Sequence, residues 1–467
     1  MEKCSPCWPP QDRLIAEMAV AEGLNGVTFH RGQVAALNVL LSGKNLILSA
    51  PTSFGKSLLI DALLATKRYK RVAIVVPTIA LLDEFRRRIR ARFNRAYALV
   101  MHGTDVAPPG RNVIYLGTQE RLIGRSDLID LDLVIVDEFY KLDEARDDER
   151  SSILNAAVYK MLHQAKQFFF LGPNIASVTQ SREDGWNFEF LHTRYSTVAV
   201  NTFDLHAVAD KPARLLAEAL DESNWPALIF VSSPQKANEI ASWIVARDVV
   251  IGDGAALADW MADNFGPEWQ LVDAVRSGVG VHHAKVPRSL AARFVKLFND
   301  RALPLLLCTS TLIEGVNTAA KSVLIFDKQI NRKNYDFFTF SNIRGRAGRL
   351  GEHHIGNVYL FHEAPDASIT DVAPPLFSDV DFVRDEFLVH MDARIEGDDV
   401  GRRIGRIAGS LGVPIDELKR FSALGFDQLG QIKEMVNARF DQDDLLAWRG
   451  RAAYAQLLAL SEIACSI

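Results

Sequence analysis

Cysteine is scarce, with four in 467 residues, and a disulfide framework is therefore excluded. Cys4 and Cys7 form a lone CSPC near the amino terminus, and Cys308 and Cys465 lie far from it. A structural zinc site takes four ligands, and no second CxxC or HxxxH completes one. Long apolar runs are also missing. None reaches the roughly 20 residues of a membrane span, and MEKCSPCWPPQDRL lacks the apolar core of a secretory leader. A cytoplasmic protein with no membrane partner is expected. Charge of one sign does not accumulate either. The net charge of -5 argues against a long basic tail that grips phosphates nonspecifically, yet it leaves a nucleic-acid partner open. Fixed-period repeats and low-complexity tracts are absent.

What is present is a rhythm of short, apolar, β-branched runs separated by helix-length amphipathic stretches. LILS (Leu46 to Ser49), VAIVV, YALV, VIYL, LVIV (Leu133 to Val136) and FFFL (Phe168 to Leu171) form a first set. ALIFV (Ala227 to Val231), LPLLLC, SVLIF and NVYLF (Asn357 to Phe361) form a second. Such runs read as strands buried on both faces of a parallel sheet. The expected fold class is α/β, with two tandem parallel-sheet lobes and a small, mainly helical C-terminal region. The expected boundaries are an N-terminal segment over 1–25, lobe one over 26–195, a linker over 196–212, lobe two over 213–365 and helices over 366–467.

The chemistry starts at APTSFGKS (Ala50 to Ser57), between an apolar strand and a helical pattern. A strand, a tight loop ending in Gly-Lys-Ser and a helix make a triphosphate cradle, because loop N–H groups and the helix N-terminus face phosphate oxygens. Ala50, Pro51, Thr52, Ser53, Phe54, Gly55, Lys56 and Ser57 are the nucleotide-binding candidates. Lys56 is placed for the β- and γ-phosphates and the Ser57 hydroxyl for Mg²⁺. Gly55 leaves room for close backbone approach, while Ala50 stands where the usual pattern has its first glycine. Asp137 and Glu138 directly follow the strand run LVIV. Asp137 would hold Mg²⁺, and Glu138 would orient and deprotonate the attacking water. The plainer alternative is a pair of acids that caps the next segment.

With these motifs in place, the chain resembles superfamily-two helicases of the DEAD/DExH-box type across both lobes. FHRGQ (Phe29 to Gln33) is similar to their adenine-reading element, with Gln33 as the base contact. PTIALLDEF and GTQER are similar to motifs Ia and Ib, so Pro77, Thr78, Thr118, Gln119 and Arg121 are expected against a nucleic-acid backbone. CTSTLIEGVNTAAKSVLIF and FSNIRGRAGRLG resemble the superkiller-type branch. That resemblance puts Thr309 and Thr311 on the strand, Glu314 and Gly315 at the inter-lobe cleft, and Asn342, Arg346 and Arg349 at the ATP site. RecA-like folds for both lobes, ATP and Mg²⁺ as cofactors, and single-stranded DNA or RNA as partner are what it implies.

Three positions depart from the family pattern. Motif II ends in Tyr140 rather than His or Asp. GPN (Gly172 to Asn174) replaces Ser-Ala-Thr in motif III, and Asn342 replaces the Gln of motif VI. The C-terminal region is long enough for a reduced winged helix or a helical appendage only. The resulting expectation is an ATP-dependent helicase or translocase. The alternative is an ATP-gated nucleic-acid-binding or scaffold subunit of a larger complex, for example with a nuclease, without processive unwinding. A P-loop kinase or transporter ATPase would leave STLIEGVN and GRAGR without a role.

Overall fold

Apolar runs that alternate with amphipathic stretches have one favoured arrangement, in which helices cover both faces of a buried parallel sheet. The computed structural model describes residues 24, 27–146, 150–181, 186–313, 318, 320–330, 332–348, 352–440, 445, 446, 448 and 450–466, and it shows this arrangement twice. The first sheet draws on β1 (Leu46–Ser49), β2 (Arg71–Val75), β3 (Tyr97–Val100), β4 (Asn112–Gly117), β5 (Leu133–Asp137) and β6 (Phe168–Gly172). After the two-residue β7 (Ser177–Val178), β8 (Glu189–His192) completes it. Its order is β3-β4-β2-β5-β6-β1-β8, with every pairing parallel. β6 lies between β1 and β5, so the loops leaving β1 and β5 open one strand apart at the same carboxyl edge, where α/β sheets bind ligands.

The second sheet contains β9 (Ala199–Asp204), β10 (Ala227–Phe230), β11 (Val279–His282), β12 (Leu305–Cys308) and β13 (Ser322–Ile325). A small hairpin of β14 (Gln329–Ile330) and β15 (Lys333–Asn334) precedes its last member, β16 (Ile355–Leu360). The order is β11-β12-β10-β13-β16-β9, again all parallel. Two RecA-like lobes are therefore present. β9 falls inside the stretch 196–212 expected as a linker, and it is the edge strand of the second sheet, in register with β16 from Ala199↔Ile355 to Asp204↔Leu360. Only residues 193–198 separate the two sheets.

Beyond lobe two the chain returns to lobe one. β17 (Asp371–Val372) pairs in parallel with β7, and helices follow at Asp398–Leu411, Ile415–Phe421, Phe426–Phe440 and Tyr454–Cys465. Val400, Ile404 and Ile407 recur at helical spacing and are buried. With Phe387, Leu388 and Leu418 they share one core with Tyr159, Phe168 and Phe170 of lobe one. Among the described residues after 365, β17 is the sole strand, so the reduced winged helix expected there has no hairpin wing among them. No described helix is long and apolar enough to cross a membrane.

Candidate active site

The loop after β1 turns at Gly55, whose φ of +83° lies in the left-handed region that L side chains avoid. A Cβ there would stand 2.7 Å from the Gln33 Nε2. The turn starts the helix Lys56–Ala65 at once, which puts Lys56 and Ser57 in its first turn, at the positive end of the helix dipole. The Lys56 Nζ donates to the Ala50 carbonyl at 2.8 Å and to the Pro51 carbonyl at 3.3 Å. Ala50 and Phe54 are fully buried. Ser53 and Thr52 look outward and meet other segments. The Thr197 hydroxyl donates to the Ser53 carbonyl at 2.8 Å, and the Ser53 and Ser196 hydroxyls lie 3.0 Å apart.

Gln33 is buried, and both ends of its amide are engaged. Its Nε2 donates to the Phe54 carbonyl at 2.9 Å, and its Oε1 accepts from the His30 backbone N–H at 3.1 Å. Gln33 thus braces the phosphate loop. His30 packs edge-on against Phe54, at 4.6 Å between ring centroids, and Tyr195 lies 4.8 Å from His30 on the other side.

At the end of β5, Asp137 is followed by Glu138 in a left-handed conformation, with φ +55°. Such a backbone costs energy for any residue but glycine and persists where its surroundings impose it. The Glu138 N–H donates to the Asp137 Oδ1 at 3.1 Å. Burial pushes the Asp137 carboxyl above the ordinary aspartate range, opposed by the Lys56 ammonium, the Glu138 N–H and the Arg88 guanidinium. Burial likewise draws Lys56 down, while Glu138 and Asp137 hold it up and Arg346 adds to the fall. Burial also lowers Arg346, with Glu138 the largest force opposing it and Glu84, Cys308 and Tyr140 contributing. Lys56, Asp137, Glu138 and Arg346 thus occupy one crevice, with Arg346 supplied by lobe two.

Further contacts seal this crevice. The Thr52 hydroxyl donates to the Gly345 carbonyl at 2.7 Å. Tyr140, at the position where the family pattern has His or Asp, sets its ring against Phe338 of the helix Phe337–Arg344, 4.7 Å away and at 67°. The Arg146 guanidinium covers the same Phe338 ring at 4.8 Å and reaches Asp336 at 3.4 Å. The Asn174 Nδ2 donates to the Asn342 Oδ1 at 3.3 Å. Arg349, Glu314 and Gly315 lie outside the described residues.

A second inter-lobe cavity, of about 650 Å³, is lined by Thr78, Arg87, His283 and Thr311 among others. Thr78 also caps the helix Ile79–Phe93 by accepting from the Leu81 N–H at 3.3 Å. The Thr309 and Thr311 hydroxyls are 3.3 Å apart, and Thr311 is 3.3 Å from the His282 Nδ1. Pro77, Thr118 and Gln119 are buried, whereas Arg121 is half-buried. The Gln119 Oε1 has no hydrogen-bond partner among the described residues.

Sequence reasoning missed several residues that shape the crevice. Tyr195, Ser196 and Thr197 tie the phosphate loop to the inter-lobe connection, and nothing in their local pattern marks them. Phe338 was within reach, since it stands four residues before Asn342. Arg88 is a third case: with Arg92 it clasps the buried Asp61 of the phosphate-loop helix, at 3.1 and 2.5 Å.

The crevice draws its charged groups from both lobes, and comparison with known proteins adds the family likeness. Residues 30–172 match the DEAD/DEAH box helicase family. The chain is 38% identical over 376 residues to anti-bacteriophage protein B of Escherichia coli strain K12, covering 77% of this chain and 51% of that protein. It is 21% identical over 444 residues to the ATP-dependent DNA helicase Hel308 of Caldivirga maquilingensis, covering 85% of this chain and 57% of that one. Against the human helicase POLQ-like the identity is 23% over 406 residues, with 71% of this chain and 35% of the relative covered. The chain thus spans about half the length of the first two. Over residues 30–172 the chain thus matches a DEAD/DEAH box helicase domain, a family that implies ATP binding.

Proposed function

We propose that the protein is an ATP-dependent helicase or translocase that moves along a single strand of DNA or RNA, of the superkiller-type branch. The observation that carries this reading is the convergence of Lys56, Asp137 and Glu138 of lobe one with Arg346 of lobe two. Parallel-sheet lobes that each hold part of one hydrolytic site are suited to turning nucleotide chemistry into relative motion.

The residues fit Mg²⁺-ATP. Gly55 lets the backbone approach a phosphate, and Lys56 rests on two carbonyls that a phosphate would replace. Among the described residues no cluster of three or more His, Cys, Asp or Glu could hold a metal alone. Mg²⁺ would accordingly rely on Ser57, Asp137 and phosphate oxygens. Bound there, it would neutralise charge on the transferred phosphoryl group. Glu138 would take a proton from the attacking water, its left-handed backbone fixing the carboxylate's direction. Lys56 would hold the phosphate tail, and Arg346 would stabilise the equatorial oxygens from across the cleft, with Arg349 assigned the same task. The strand would lie along Thr78, Arg121, Thr309 and Thr311, with Thr118, Gln119 and Pro77 shaping that path from beneath. Its contacts would be to phosphate and sugar, so sequence preference would be weak.

A second reading has an observation of its own. Motif III offers an amide, Asn174, in place of two hydroxyls, which favours an ATP-gated binding subunit of a larger assembly. The name of the Escherichia coli relative adds defence against phage as the setting. ATPase and strand-displacement assays, with and without single-stranded DNA or RNA, separate the readings. Stimulated turnover with displacement supports the motor. Stimulated turnover without displacement supports the gated subunit, and turnover indifferent to any nucleic acid overturns both.

A further inference from the structure

A cavity of about 870 Å³ lies between lobe one and the C-terminal helices, apart from both inter-lobe sites. One wall is the short helix Gln119–Ile123, which follows the proposed strand contact Thr118, contains Arg121 and lines the cavity with Glu120 and Ile123. The opposite wall is the helix Ile415–Phe421, which brings Lys419 and Arg420, both exposed. Lys160 enters from below and donates only to backbone carbonyls, those of Ile123 at 2.7 Å and Arg125 at 2.6 Å.

The cations here are close enough to repel. Burial lowers the pKa of Lys160, Lys419 adds to the fall and Asp127 opposes it, and both lysines add to the burial that holds His390 down at about 4. The carboxylates within reach have closer partners: Glu120 has Arg150 at 2.6 Å, Asp392 has Arg394 at 2.7 Å, with Lys419 the smallest contributor to its lowered pKa, and Glu396 has the Tyr159 hydroxyl at 2.7 Å. Glu417 reaches Arg420 only at 3.5 Å. Lys419 has no ion-pair partner among the described residues. Like charges gathered at one concave surface repel unless an anion offsets them.

We infer that this cavity binds phosphodiester groups of the same strand that crosses the lobes, with Lys419 and Arg420 as its contacts. The inference rests on the strand-binding reading above and extends the path by one helix width. Phosphate contacts here add affinity and salt dependence without sequence preference.

The test uses the full chain and compares fluorescence-anisotropy affinities for oligonucleotides of about 6 and about 20 nucleotides. The double variant Lys419→Gln/Arg420→Gln should lose about tenfold in affinity for the long strand and nothing for the short one. Its salt slope on the long strand should fall by about 1.4, two phosphates at about 0.7 each. The charge-preserving Lys419→Arg/Arg420→Lys variant should keep both. Equal loss at both lengths, or no loss at either, overturns the inference. So does weakened binding of AMP with long-strand affinity intact, which would assign the cavity to a free nucleotide. If the parent protein binds neither oligonucleotide, the strand-binding reading itself fails.

Discussion

Asn174 and Asn342 meet across the cleft, the amide of one donating to the carbonyl of the other at 3.3 Å. Each stands where the family pattern has a different residue, so two departures that look independent in the sequence form one contact. The two positions are joined here by one amide-to-amide link between the lobes.

Such a bond between neutral groups contributes about 0.5–1.5 kcal/mol, or roughly two- to tenfold in the equilibrium between lobe arrangements. Asn342→Ala should therefore reduce strand displacement per ATP hydrolysed by that factor while turnover changes less. Asn174→Ala should do the same. The double variant should be no worse than either alone, since both remove one interaction. Displacement and phosphate release measured on the same samples decide this.

Lys56 and Arg346 sit on opposite walls of the crevice. Lys56→Ala should abolish strand-stimulated turnover with the fold retained, as read by circular dichroism. Arg346→Ala should lower kcat by about 100-fold or more. Arg346→Lys should rescue little of it, because an ammonium does not reproduce the planar fork of guanidinium donors. A lysine that restored full turnover would remove Arg346 from the transition state.

Gly55 faces two independent obstacles to a side chain, its φ of +83° and the Gln33 amide 2.7 Å from a Cβ. Gly55→Ala should weaken nucleotide binding sharply. In a Gln33→Ala background the clash disappears but the backbone strain of about 1 kcal/mol remains, so the defect should shrink without vanishing. Nucleotide titration of the four proteins distinguishes the two contributions.

His282 is buried, and its imidazole is held down at about 4, chiefly by burial and then by neighbouring His283. The group binds its proton more weakly folded than unfolded. Between the ordinary value near 6.5 and about 4 the unfolded chain therefore takes up more protons, and stability falls as the pH falls. The full effect is about 3 kcal/mol, present above pH 6.5 and lost by pH 4. Denaturant titrations at pH 7.5 and pH 5 should show the drop, and His282→Asn should shrink it, leaving the share of His390, which is held at about 4 as well.

The strand, turn and helix around APTSFGKS and the strand that ends at Asp137 were legible because each is a local pattern of apolar run and turn residue. Lobe two was legible in its buried strands for the same reason. β9 was not. All six of its residues are exposed, so AVNTFD carries no burial signal, and only its register with β16 makes it a strand. The contacts of Tyr140 with Phe338 and of Thr52 with Gly345 join residues roughly 200 or more positions apart, and no periodicity encodes such pairs. The same distance hid the docking of Leu418 and Ile404 onto lobe one.

That docking bears on which part of the protein would serve as the stator of a translocase. Phe387, Leu388, Ile404 and Leu418 interdigitate with the first sheet's own side chains, and close-packed interiors shift as rigid units. Under the translocase reading, the second sheet with its helices is the part expected to swing, about residues 193–198. Reporter dyes fixed to the first lobe and to the helix Ile415–Phe421 would hold a constant separation throughout the cycle, while a dye on the second lobe would not.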